Sequence, residues 1–274
     1  MADIFILKES GQRELFSSAK IVRALSRSGV PKHEQQKILS KLETFLYDGI
    51  TTREIFTILK TIIESDRPQS AHKFNLKRAL FELGPEGHYF EDFIHRLLST
   101  LGYSCNVRQT LQGKFVTHET DVVAKKGPNV FLVECKFHNQ PGIKCRIQTI
   151  LYVYARFLDV EAGYKEGLCQ KITKPFLITN TKFSEDVIKY ASGMKIPLLG
   201  WHYPQNESLE RLIDKTKCYP ITVLPLKNET RTILLKSGFT VVSDLPHDPK
   251  LLSEKTSIPL KTCHEIISRA KYVH

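Results

Sequence analysis

The chain begins with a short strand-like stretch, continues with residues at helical spacing, and then alternates between the two. Phe5-Ile-Leu-Lys8, a bend at Glu9-Ser10-Gly11 and Glu14-Leu15-Phe16 predict a small hairpin that turns at a glycine. Ile21 and Leu25 predict a helix ending at Gly29, capped by Ser17 or Ser18, because a serine oxygen satisfies amide groups left free at a helix start. Ile38, Leu42 and Leu46 predict a second helix over 33–47, stopped by Gly49. Thr51-Thr-Arg-Glu54 reads as a capping box for a third helix over 55–63. A fourth, basic helix is expected over 71–83, and Gly84-Pro85-Glu86-Gly87 is the expected domain boundary.

Helix and strand patterns alternate from there to residue 200. Phe90, Phe93, Ile94 and Leu97 define the apolar face of a helix over 89–98, with Glu91 near its edge. Strands are expected over 105–111, 120–124 and 130–137, then a helix over 144–157, a strand over 176–179, a helix over 184–192 and a strand over 197–201 that leads Trp201 into the core. After residue 224 the pattern is helical, with segments over 224–239, 249–256 and 258–270. The fold class is therefore a multidomain α/β protein. Its parts are a hairpin plus helical bundle over 3–84, an α/β/α domain with a mixed sheet over 85–215, and a small helical unit over 222–273.

Composition and charge narrow the function. At 274 residues, with 41% hydrophobic and 25% charged residues and only 14 glycines and 13 prolines, a disordered or collagen-like chain is excluded. Six cysteines without a Cys-x-x-Cys pair exclude a zinc ribbon or dithiol motif and read as reduced packing residues. No apolar run approaches bilayer length, so a cytoplasmic protein with no membrane partner is expected. The net charge of +11 points toward a polyanion. It is unevenly spread: ten basic against nine acidic side chains over 1–66, nineteen against twelve over 67–200, and eleven against eight over 201–274.

Within the middle segment, side-chain alternation along a strand puts Glu134 and Lys136 on one face and Val133 and Cys135 on the other. Asp121 on a paired neighbouring strand brings a second carboxylate to the same point, a hard-oxygen set suited to Mg²⁺. A Glu-x-Lys triplet on a strand is also how a solvated ion pair looks. With Glu91 in Tyr89-Phe-Glu-Asp-Phe93, Asp121 in His118-Glu-Thr-Asp-Val122, Glu134-Cys-Lys136, and Gln148-Thr-Ile-Leu-Tyr152, the segment resembles the PD-(D/E)XK nuclease superfamily and, within it, the Mrr-like restriction endonucleases. The resemblance implies Mg²⁺ held by Asp121, Glu134 and the Cys135 carbonyl. Lys136 would act on the attacking water, Glu91 would hold a metal water or second metal, and Gln148 and Tyr152 would orient DNA or site groups. An amphipathic helix also carries such a Gln and Tyr for packing and solvation alone.

Two further resemblances frame this domain. Ile6-Leu-Lys8-Glu-Ser-Gly11 and Ala19-Lys20-Ile21-Val-Arg23-Ala24-Leu25 resemble the ATP-cone, which implies ATP or another nucleotide as effector with Lys8, Lys20 and Arg23 near its phosphates. Glu9-Ser10 departs from the arginine and aspartate usual there. The tail resembles a helix-hairpin-helix unit, although Ser257-Ile258-Pro259 replaces its glycines, and a plain helical cap is the alternative. Together these imply a nucleotide-regulated, Mg²⁺-dependent DNA endonuclease acting in restriction or defence as a dimer or larger homo-oligomer. The alternative is a non-catalytic nucleotide-sensing DNA-binding regulator on a nuclease-derived fold.

Overall fold

The computed structural model describes residues 4–8 and 11–273. The chain divides into two units, one reaching Leu76 and including the residues from Arg269 onward, the other running from Lys77 to Ser268. The division falls inside a helix, ahead of the expected boundary at Gly84–Gly87.

The first unit starts with strands β1 (Phe5–Leu7) and β2 (Arg13–Leu15), antiparallel as expected. Glu9 and Ser10 of the expected turn lie outside the described residues; Gly11 has the positive φ, +79°, that favours glycine. Helix α1 (Ser18–Arg27) follows, with Ser17 in the capping position but without the side-chain hydrogen bond expected of it. Helix α2 (Lys32–Glu43) ends before the expected residue 47. The Thr44 hydroxyl donates to the Lys41 carbonyl at 2.8 Å and competes with the helical ladder, while Gly49 N–H donates to Phe5 O and joins the hairpin. Leu46 still packs on the core, which explains why the periodicity ran past the helix end. Helix α3 (Thr52–Asp66) carries the expected capping box, Thr51 Oγ1 accepting from Glu54 N–H and Glu54 Oε2 from Thr51 N–H. Helix α4 (Pro68–Phe81) closes the bundle around Leu25, Ile38, Leu42, Ile55, Leu59 and Ile63.

The second unit is built on a five-stranded sheet. Helix α5 (His88–Thr100) precedes strands β3 (Ser104–Gln112), β4 (Thr117–Lys126) and β5 (Asn129–Lys136), each antiparallel to the next. The expected helix start at residue 144 is instead strand β6 (Lys144–Cys145), with helix α6 at Ile147–Lys165. Cys145 is buried in a two-residue parallel pairing, too short to show a period of two. Apolar spacing carries α6 beyond residue 157 through Val160, and Gly163 does not end it. A Cβ at Gly163 would stand 2.6 Å from the Gln112 carbonyl oxygen, so glycine is there for close approach.

Strand β7 (Lys174–Thr179) pairs parallel with β5, β8 (Lys182–Phe183) with β6, and after helix α7 (Glu185–Gly193) strand β9 (Leu198–Leu199) adds parallel to β7. The main sheet has the order β3-β4-β5-β7-β9 and is mixed, as expected. Leu111, Val123 and Leu132 pack with Phe157 and Val160 of α6 on one face. Phe90 of α5 meets Phe137 at a 5.6 Å ring separation, just beyond β5. Trp201 is buried, as expected.

Helix α8 (Leu209–Thr216) was not anticipated: it spans two turns, capped by Ser208, and buries only Leu209 and Ile213. In the tail, helix α9 (Asn228–Lys236) starts later than residue 224 because Pro225 keeps Leu224 extended. Helices α10 (Pro249–Thr256) and α11 (Leu260–Ala270) are joined through Ser257, which takes a φ of +58° where a glycine was looked for. Thr222 Oγ1 donates to the Ala79 carbonyl at 2.6 Å, and Arg231 and Arg96 pair with Glu82 and Asp244. The segment before Arg269 thus belongs to the same unit as the sheet. No helix among the described residues is long and apolar enough to cross a membrane.

Candidate active site

Strands β4 and β5 stay paired only as far as Val122 opposite Val133. One position on, the Cys135 N–H donates to Asp121 Oδ2 at 2.6 Å, so a side chain takes the ladder's place where the strands part. Register continued from Val122 and Val133 brings Asp121 opposite Glu134, and opposed residues share a face. Asp121 and Glu134 therefore emerge together on the α6 side of the sheet. Glu91, on α5, lies within electrostatic reach of both Asp121 and Cys135.

Burial and the neighbouring Glu134 charge push the Asp121 carboxyl up to about 7, against the pull of the Cys135 N–H and of Arg156. Glu91 is raised mainly by burial, opposed by Arg108. Burial also drives the Cys135 thiol well up, with the three carboxylates adding to the rise, so it stays a neutral packing group.

Glu134 does not pair with Lys136. Its Oε2 accepts from Arg156 Nη1 on α6 at 2.5 Å, with only 7% of the arginine side chain and 17% of the glutamate exposed. Lys136 is exposed and makes no ion pair among the described residues. The carboxylate read from strand alternation as neighbouring the Lys136 ammonium is thus paired with a guanidinium the motif does not contain.

Gln148 and Tyr152 are both exposed on α6. Tyr152 is tied to the carboxylates indirectly, since the Arg156 guanidinium lies over its ring at 5.2 Å. Gln148 makes no hydrogen bond among the described residues. Arg156, which sequence reasoning missed, continues the four-residue stripe of Gln148 and Tyr152.

Arg108 was also missed. It drops out of register between Val107 opposite Val122 and Gln109 opposite Thr120, across from Asp121, with φ at +48°. A non-glycine residue so placed carries roughly 1–2 kcal/mol of strain. Its Nη1 stands 2.8 Å from Asp92 and 3.6 Å from Glu91.

The two histidines beside the motif are engaged. His118 meets Asp159 at 2.7 Å, and Asp159 also accepts the Phe115 and Val116 N–H groups, which fastens the β3–β4 hairpin to α6. His138 sits against the Thr179 and Thr181 hydroxyls.

In the first unit, Lys8 and Lys20 converge on one carboxylate: Glu14 takes Lys8 at 2.7 Å and Lys20 at 2.9 Å. Arg23 does not join them, and its Nε donates back to the Ala19 carbonyl.

Among the described residues no three acidic, histidine or cysteine side chains stand together as a metal cage. Asp121 Oδ1 and Glu134 Oε1 are nevertheless carboxylate oxygens with no hydrogen-bond partner among the described residues, and both belong to a crowded group whose repulsion a cation relieves. Two carboxylates and retained waters are the ordinary donor set of Mg²⁺, so the residues fit it.

Residues 84–201, which take in α5, the sheet and α6, match the family model of restriction endonucleases of the Mrr catalytic type. An uncharacterized protein of Archaeoglobus fulgidus is 37% identical over 178 residues, 65% of this chain and 98% of its own. A crystal structure of a protein of unknown function is 36% identical, with a TM-score of 0.59, over 69% of this chain and 98% of that one. With almost the whole of the archaeal relative matched at this identity, the chain belongs to its family and carries a restriction endonuclease domain of the Mrr type.

Proposed function

We propose that the protein is a Mg²⁺-dependent DNA endonuclease in which Asp121 and Glu134, with the Cys135 carbonyl, hold the metal and Lys136 serves the attacking water. The carrying observation is the parting of β4 and β5, where two half-buried carboxylates meet, two residues before an exposed lysine that has no ion-pair partner among the described residues. Binding DNA alone gains nothing from carboxylates that repel phosphate. Bound Mg²⁺ would polarise the scissile phosphate and acidify a water. The Lys136 ammonium orients that water and offsets charge growing on the phosphoryl oxygens, while the water's proton leaves to bulk solvent on the exposed side. Glu91 supports the site through a metal water or a second metal, and Arg108 partly neutralises Glu91 and Asp92.

Nucleotide control is the second part of the proposal. Lys8 and Lys20 reach the same carboxylate from different elements, a spacing that also suits the phosphates of ATP or another nucleotide as effector. Cleavage of two strands by a domain with one site favours a dimer or larger homo-oligomer. The ion pair already made by Glu134 is the observation favouring the non-catalytic regulator.

Plasmid DNA incubated with the protein, with and without Mg²⁺ and ATP, separates these readings. Mg²⁺-dependent nicking or linearisation is expected, altered by ATP. Lys136→Ala is expected to abolish cleavage and leave duplex binding within about twofold, because it removes one charge of many. Equal cleavage by variant and parent rules out the role given to Lys136, and no cleavage under any metal or nucleotide condition leaves the regulator.

A further inference from the structure

Arg156 is 6% exposed, deep in α6, and its Nη1 holds Glu134 Oε2 at 2.5 Å. Its Nε is buried without a hydrogen-bond partner among the described residues, and the guanidinium lies over the Tyr152 ring, 5.2 Å from its centroid. A buried guanidinium with an unsatisfied nitrogen is an expensive way to pack a helix, since desolvating a charge is offset only by the partner it meets. That partner stands opposite Asp121 at the parting strands, and the Arg156 charge also lowers the pKa of Asp121.

We infer that Arg156 is the built-in counter-ion of the acidic cluster: a positioning residue that occupies Oε2 of Glu134, leaves Oε1 as its free donor, and holds down affinity for a divalent cation. The inference rests on the metal-site reading above and adds the regulation of that site. Asp121 and Glu134 facing each other without compensation would hold a dication more tightly and would repel one another in its absence. A fixed guanidinium removes about one unit of negative charge and lets the metal-free fold survive. It also restricts Glu134 to one oxygen toward a metal. Tyr152, under the guanidinium, sets the guanidinium plane, which gives this exposed tyrosine a role without DNA contact.

The test uses the full chain and Mg²⁺ alone as probe. Titration calorimetry without DNA is expected to find Arg156→Met, close in length but uncharged, binding Mg²⁺ about tenfold more tightly than the parent, the scale of one unit charge removed from a partly buried site. Melting in chelator is expected to fall for Arg156→Met and to recover with Mg²⁺ by more than the parent does. Arg156→Lys, which keeps the charge but not the planar fork, is expected to bind Mg²⁺ within about threefold of the parent. Unchanged or weaker binding by Arg156→Met, or an equal loss of melting temperature with and without Mg²⁺, overturns the assignment and makes Arg156 a packing residue. A parent that binds Mg²⁺ but cleaves no DNA defeats the nuclease reading while the affinity shift still upholds the counter-ion; a parent that binds no dication overturns both.

Discussion

Two residues beyond Lys136, His138 shows how closely this edge of the sheet is tuned. Its N–H donates to Asn180 Oδ1 at 2.9 Å, its carbonyl accepts from Asn180 Nδ2 at 2.8 Å, and its Nδ1 is 3.1 Å from the Thr181 hydroxyl. Partial burial and then the Lys136 ammonium push its pKa below the ordinary histidine value. The neutral ring is thus the form the fold prefers. A group depressed on folding contributes stability that is complete above its unfolded pKa, about 6.5, and is lost as pH falls through the folded value. Acidifying the protein from about pH 7 to about pH 5 is expected to lower the melting temperature, and His138→Gln is expected to flatten part of that fall. Parallel pH profiles for variant and parent would show that His138 takes no part.

At the scale of elements, α6 fixes the site's geometry by lying close to the β3–β4 hairpin. Gly163 makes the approach possible, and Asp159 clamps the hairpin from the same helix through His118, Phe115 and Val116. Replacing an ordinary helix glycine by alanine raises stability by up to about 1 kcal/mol. Here the new methyl meets backbone on the hairpin, so Gly163→Ala is expected to destabilise the protein by about 1–3 kcal/mol. Chemical denaturation measures it, and a stabilised variant would contradict the packing described.

These two elements also mark what a sequence conveys. The meeting of Asp121 and Glu134 was legible because strand alternation is local and the two carboxylates stand on neighbouring strands. The hairpin, α3 with its capping box and the mixed sheet were legible from periodicity and turn residues. Arg156 was not, because its partner lies on a strand before the helix and an arginine in a helix reads as solvated unless the sheet beneath it is known. Arg108 was hidden for a similar reason: its positive φ comes from register with β4, not from its own chemistry. Strands β6 and β8 have two residues each and no period to read.

Across the whole molecule, the excess of cations and the acidic cluster act on DNA in opposite directions. Most of the +11 comes from residue 67 onward, so backbone contacts should dominate affinity and make it depend on salt. The carboxylates around Asp121, by contrast, would repel phosphate until a cation neutralised them. Anisotropy of a labelled duplex in chelator, between about 50 and 200 mM salt, is expected to lose affinity steeply, with a log–log slope of about −3 or steeper. Adding Ca²⁺, which takes oxygen ligands as Mg²⁺ does, is expected to tighten binding at every salt concentration without altering the slope by more than about one unit, because the dication removes local repulsion and adds no new phosphate-binding side chain. Asp121→Asn in chelator is expected to move the same way, since it removes one of the repelling charges, and then to lose most of the response to Ca²⁺. A shallow slope would rule out a polyanionic partner, and a variant that responded to Ca²⁺ as the parent does would remove Asp121 from the cation site.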